Sequence, residues 1–317
     1  MNRQKSSPEK LMRAVVAVRR SVLDGAWVRR PATGRLIMAL ASAAFLVGLI
    51  VAWRALPEGV HFQRYGYLAI LVVVLVPATV LLNAARYDNS ARILGQRVGL
   101  TQAWRISILA SAANLLPLPG AALVRIAGLK SLGQSIGAAA ASTGVVAGVW
   151  ASVTGLVAGI WQLRAGSREL GVLFVVGGAV AGVVSVVLMS RATRCGSRFA
   201  IAIRLIAVEV MVVLVAATRI YLVFLAIGAS ASFSQAVALI VAGVLASAVG
   251  ILPGGLGLRE ALSATIALGV GLPASVGFVV AAVDRLAGIV VLLPLSLLLL
   301  PGTRERDAGR SIDPAER

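Results

Sequence analysis

Leu118-Pro119-Gly120, with Arg125 five positions after the glycine, recurs as Leu252-Pro253-Gly254 with Arg259, an offset of 134 residues. Each copy breaks an apolar stretch. Pro117, Pro119 and Gly120 lie at the centre of residues 106–124; Pro253, Gly254, Gly255 and Gly257 lie at the centre of 236–272. Proline removes a backbone donor and collides with the preceding turn, and glycine permits a reversal. Each stretch therefore reads as two half-helices joined by a turn, a re-entrant hairpin. A broken helix carrying a cation in membrane-like sequence, repeated at a fixed offset, is the pattern of transporter binding sites.

The surrounding composition agrees. Hydrophobic residues make up 59% of the chain, charged residues 13%, and mean hydropathy is +0.94, which indicates an all-α polytopic membrane protein. A single Cys (Cys195) and a single His (His61) exclude a disulfide framework and a Cys/His metal cluster. No cofactor or metal is expected. His61 falls in a short loop, far from the demands of a catalytic triad, so the chain reads as no enzyme. The formal charge of +18 sits at membrane-flanking positions. Anionic headgroups, and not nucleic acid, are its expected partners.

Apolar runs long enough to cross about 30 Å of hydrocarbon occur at 36–53, 67–85, 136–161, 170–190, 205–228 and 274–300. The expectation is six transmembrane helices plus two re-entrant hairpins. Treating 106–124 and 236–272 as hairpins puts 23 of the 30 Lys and Arg on one side and 4 on the other. A full crossing at 106–124 would destroy that asymmetry, so the positive-inside rule prefers the hairpin. Both termini are then cytoplasmic, and the protein is placed in the cell inner membrane. Shifting 36–161 by 134 residues lands close to the elements of 170–300. Each unit has three full spans, so the second is inserted upside down, an inverted-topology repeat.

The domain reading is a basic N-terminal segment (1–35), a transmembrane domain (36–300, with repeats 36–161 and 170–300) and a cytoplasmic tail (301–317). In the first segment Leu11, Val15, Val18 and Val22 share a helical face, with Lys10, Arg13 and Arg20 around them. This spacing predicts an amphipathic helix on the cytoplasmic leaflet. No cleavable signal peptide is expected, since no short apolar core with a small-residue cleavage site occurs there.

Ionisable groups in hydrocarbon cost several kcal/mol unless they face protein or water. Glu209, Arg219, Arg259, Glu260, Asp284 and Arg285 are such groups. Neighbours on one helix point about 100° apart and cannot pair with each other. Arg259-Glu260 is therefore expected to pair across a gap with Asp284-Arg285. Arg219 has the reach to snorkel to the outer surface, Glu209 lies near the cytoplasmic end, and Arg125 reads equally as a site residue or a topological charge. The segment after each Pro-Gly is a helix N-terminus, whose free N–H groups favour an anion such as phosphate.

Ile251-Leu252-Pro253-Gly254-Gly255-Leu256-Gly257-Leu258-Arg259-Glu260-Ala261, then Gly271-Leu272-Pro273 and Arg285, resemble the second-half signature of the flippase-like family. This is the membrane domain attached to lysylphosphatidylglycerol synthases and found alone in many bacterial and archaeal proteins. Asn114-Leu115-Leu116-Pro117 followed by Arg125 resembles the first-half signature. Family members place an Arg, a Gly and an acidic residue before that arginine; this chain has Leu118 to Val124 instead. The span 136–161 likewise lacks the charges common in the family.

The resemblance implies binding or translocation of an anionic phospholipid or a polyprenyl-phosphate-linked envelope precursor. Lipid aminoacylation is not implied, because it belongs to a soluble C-terminal domain and only a short tail follows Leu300. The expected headgroup ligands are Arg259, Arg285, Arg125 and Asn114. Glu260, Asp284 and Glu209 are expected as ion-pair partners or proton carriers. The alternative is a non-transporting partner or lipid-presenting subunit of an envelope glycosyltransferase or synthase. Gly- and Ala-rich spans such as 136–161 suit close packing, within the chain or with such a partner.

Overall fold

The computed structural model describes residues 31–113, 120–192, 198–249 and 256–299, with side chains from Ala39 onward in the first stretch. Every regular element among them is helical. In chain order these are α1 (Pro31–Arg54), α2 (Tyr65–Ile93), α3 (Leu100–Ala113), α4 (Gly120–Ser131), α5 (Ile136–Arg164) and α6 (Arg168–Ala192). There follow α7 (Arg198–Ala226), α8 (Phe233–Leu239), α9 (Val241–Val249), α10 (Leu258–Gly269) and α11 (Ala274–Leu299).

Among the described residues, five helices are long and apolar enough to cross a membrane: α2, α5, α6, α7 and α11. α1 is the sixth long helix, with an apolar part at Ala39–Arg54. Their outward faces carry large apolar side chains. On α6, Val172, Leu173, Val176, Val180 and Val183 are all more than half exposed, a surface that only lipid tails or a partner can cover. The protein is a multi-pass membrane protein.

Two helix pairs are too short to cross. α3 and α4 have 14 and 12 residues, or about 21 and 18 Å at 1.5 Å per residue. α9 and α10 have 9 and 12 residues. Within each pair the helices pack on each other. Gly120 opens α4 against the end of α3, and any side chain there would collide with the Ala113 carbonyl. Residues Asn114, Pro117, Pro119, Pro253, Gly254 and Gly255, expected at the turns or site, lie outside the described residues, as do segments 1–30 and 300–317.

α5 and α6 form the most extensive helix–helix contact, and glycine makes it possible. A Cβ on Gly155 would stand 2.8 Å from both Gly178 Cα and the Phe174 carbonyl, and one on Gly178 would stand 2.7 Å from Leu156 N. The two backbones therefore touch, as small-residue faces allow in membranes. The Gly-rich face of 136–161 is thus used within the chain.

The seam that positions the site runs between α2 and α7, which lie antiparallel: Arg204 meets Asp88, Glu209 meets Arg86, and Arg219 meets Thr79. α2 continues to Ile93, past the apolar run that ends at 85. Arg86, just past that run, is therefore on a helix and buried. A π-helical turn at Leu71–Leu75 precedes Pro77, which has no N–H to give. One turn on, the Leu75 carbonyl accepts from Thr79 Oγ1 at 2.8 Å, which fixes the hydroxyl that meets Arg219.

Candidate functional site

Two buried polar centres flank the α2–α7 seam. The first joins α10, α11, α7 and α2. Arg259 Nη2 donates to Asp284 Oδ2 at 2.7 Å, and Arg285 Nε donates to Glu260 Oε1 at 2.7 Å. The adjacent charges on α10 thus pair crosswise with the adjacent charges on α11. Glu260 is fully buried and Asp284 nearly so.

Arg219 departs from the expected outward reach. Its Nε donates to Asp284 Oδ1 at 2.8 Å, its Nη2 to the Asp284 carbonyl at 3.2 Å, and its Nη1 to Thr79 Oγ1 at 3.0 Å. An inward carboxylate with a free oxygen offers a guanidinium more than the membrane surface does. Asp284 therefore holds two arginines, one on each oxygen. Among the described residues the centre contains three guanidiniums and two carboxylates, a net excess of one positive charge.

The α10 N-terminus is also partly occupied. Gly257 N–H donates to Glu260 Oε2 at 2.9 Å, and Gly257 adopts φ +79°, a backbone that L side chains rarely accept. Glu260 thereby caps its own helix while gripping Arg285. At this terminus a resident carboxylate stands where the sequence pattern suggested an anionic guest.

The second centre joins α2, α4, α5 and α7. Arg86 Nε donates to Glu209 Oε1 at 2.8 Å, its Nη1 donates to Asn83 Oδ1 at 3.2 Å, and its guanidinium carbon lies 5.1 Å from the centre of the Trp150 ring. Arg125 Nη2 reaches the same Asn83 oxygen at 3.5 Å. Two guanidiniums here face one carboxylate. Among the described residues, Arg125 Nε, Tyr87 Oη and Glu209 Oε2 are buried without a hydrogen-bond partner. Glu209, placed by sequence near the cytoplasmic end, is fully buried at the heart of this centre.

Further along the seam, Asp88 accepts from Arg92 at 2.7 Å and from Arg204 at 2.8 Å. Its other oxygen accepts from Val98 N–H at 3.3 Å. This rung ties the end of α2 to the start of α3 and to α7.

The structure thus brings together Arg219, Arg259, Glu260, Asp284 and Arg285, and separately Arg125 and Glu209. Sequence reading missed Arg86, Asn83, Thr79 and Trp150. A signal existed: Thr79, Asn83, Arg86 and Ser90 form one helical stripe at spacings of four, three and four. Ending the span at the first charge hid it.

No curated protein matches the chain. Residues 190–296 match the family described as the lysylphosphatidylglycerol synthase TM region, and they carry Glu209, Arg219, Arg259, Glu260, Asp284 and Arg285. Over that stretch the chain is similar to this membrane-domain family.

Proposed function

We propose that this protein binds an anionic phospholipid or a polyprenyl-phosphate-linked envelope precursor and moves its headgroup between leaflets of the inner membrane. One observation carries the reading. Five buried or half-buried arginines (86, 125, 219, 259 and 285) are gathered against three carboxylates (209, 260 and 284) inside a bundle of apolar helices. Uncompensated charge in such surroundings is costly. A phosphate group entering between the helices offsets it, while acyl or prenyl tails stay in the bilayer.

The short helix pairs give the reading its geometry. In this proposal α3–α4 and α9–α10 are re-entrant hairpins of an inverted repeat, entering from opposite sides, with both chain termini cytoplasmic. Rocking of one repeat against the other would then change which leaflet sees the charges. The use of the α5 glycine face inside the chain favours a self-contained translocating bundle over a subunit that packs on an enzyme.

Reconstitution tests this. Proteoliposomes carrying labelled anionic lipids are expected to show leaflet exchange above protein-free liposomes. Absence of exchange, together with stoichiometric co-purification of an envelope glycosyltransferase or synthase, would support the lipid-presenting alternative.

A further inference from the structure

The two centres are built from corresponding parts but closed differently. The offset of 134 that carries Arg125 onto Arg259 also carries Trp150 onto Asp284, and Arg86 to within one residue of Arg219. In the later centre Arg219 and Arg259 share the two oxygens of Asp284. In the earlier one Arg86 lies over the Trp150 ring, and Arg125 has no carboxylate within salt-bridge distance among the described residues. An aromatic face attracts a cation far more weakly than a hydrogen-bonded carboxylate does. Each arginine of the later centre therefore bonds a carboxylate, whereas in the earlier centre Arg125 does not.

We infer that the Arg86–Arg125–Asn83–Tyr87 centre is a binding site for a phosphate-bearing anion, and that the Arg219–Arg259–Asp284 and Glu260–Arg285 pairs are its structural counterpart. Three features support it. Arg125 Nε and Tyr87 Oη are both buried donors with no partner among the described residues. Glu209 is bonded to Arg86 and not to Arg125, so the Arg125 charge is only partly answered. Asn83, Arg125 and Trp150 are half-buried, so the centre is not fully enclosed. Phosphate, with several acceptor oxygens and a negative charge, matches two guanidiniums and a phenol better than a carboxylate or a halide does.

The inference rests on the lipid-transport reading only for the source of the phosphate, and its test separates the two. The probe is emission from Trp150, obtained by subtracting the Trp150→Phe protein, in the full chain purified in detergent. One arm titrates inorganic phosphate, the other dihexanoyl phosphatidic acid. A saturable change in either arm is expected; saturation in both assigns free phosphate as sufficient, and in the lipid arm alone assigns a headgroup. Asn83→Asp places a carboxylate against Arg86 and Arg125, so it is expected to weaken binding roughly tenfold or more while melting at or above the wild-type temperature. Arg204→Gln, on the more exposed rung, is expected to leave affinity within about twofold.

A Trp150 response that persists in Asn83→Asp, no response in either arm, or a lower melting temperature for Asn83→Asp overturns the inference. Leaflet exchange measured in parallel distinguishes the readings. Wild-type protein that shows the titration without exchange keeps the site and removes the transport role.

Discussion

Asp284 accepts Arg219 on one carboxylate oxygen at 2.8 Å and Arg259 on the other at 2.7 Å, so α7 and α10 are both tied to α11 through a single side chain. Asp284→Asn removes the shared charge and leaves two guanidiniums inside the bundle. Breaking a buried pair in this way costs about 3–5 kcal/mol. Chemical unfolding in detergent is expected to show a loss of at least that order. Asp284→Glu is expected to lose less, since it keeps the charge and mis-sets only the distance.

Glu260 has two tasks, and a charge swap separates them. Glu260→Arg with Arg285→Glu restores an ion pair between α10 and α11. It does not restore the acceptor for Gly257 N–H, which now bonds Glu260 Oε2. The double variant is expected to recover most of the stability lost in Glu260→Arg alone. It should remain short by about 0.5–2 kcal/mol, the range of a lost N-cap contact. Full recovery in an unfolding titration would show that the cap contributes nothing.

The α5–α6 contact predicts strict size limits. Gly155→Val and Gly178→Val each insert atoms where a Cβ alone would stand within 3 Å of the opposing backbone. Each is expected to cost at least about 1–3 kcal/mol, the usual penalty of overpacking. Gly144→Val on the same helix has open space around its Cβ and is expected to leave the melting temperature nearly unchanged.

Glu209→Gln is expected to move stability and anion affinity in opposite directions. Among the described residues Glu209 is the one carboxylate bonded to Arg86, so its neutral isostere leaves both arginines of that centre uncompensated. Unfolding should become easier by several kcal/mol at most, while the affinity for phosphate in the Trp150 titration should rise. A fall in affinity would mean that Glu209 holds Arg86 in its binding pose and that this orientation outweighs charge.

Topology has its own test. In a Cys195→Ser background, Gln96→Cys, Gln134→Cys and Ala165→Cys report from the α2–α3, α4–α5 and α5–α6 connections. If α3–α4 is re-entrant, an impermeant thiol reagent modifies the first two from one side of the membrane and the third from the other. If α3–α4 crosses, Gln96→Cys and Gln134→Cys are modified from opposite sides.

Much of this architecture was legible in the chain. The apolar runs and the adjacent charges Arg259-Glu260 and Asp284-Arg285 are local features, and local spacing is enough to anticipate their helices and their crosswise contact. Arg219 was not legible, because the same side chain reaches a membrane surface or a buried carboxylate equally well. Its direction is decided by α7 facing α11 across the seam. Arg86 was hidden for a related reason. A hydropathy run ends at the first charge, but α2 continues to Ile93 because Asn83, Glu209 and Trp150 receive that arginine inside the bundle.

The most direct measurement compares leaflet exchange of a labelled anionic phospholipid by wild-type protein and by Asn83→Asp, each reconstituted at equal density. The account predicts exchange well above protein-free liposomes for the wild type and a fall toward that background for Asn83→Asp, with the variant at least as stable. Equal exchange by the two proteins, or none by the wild type, would contradict it.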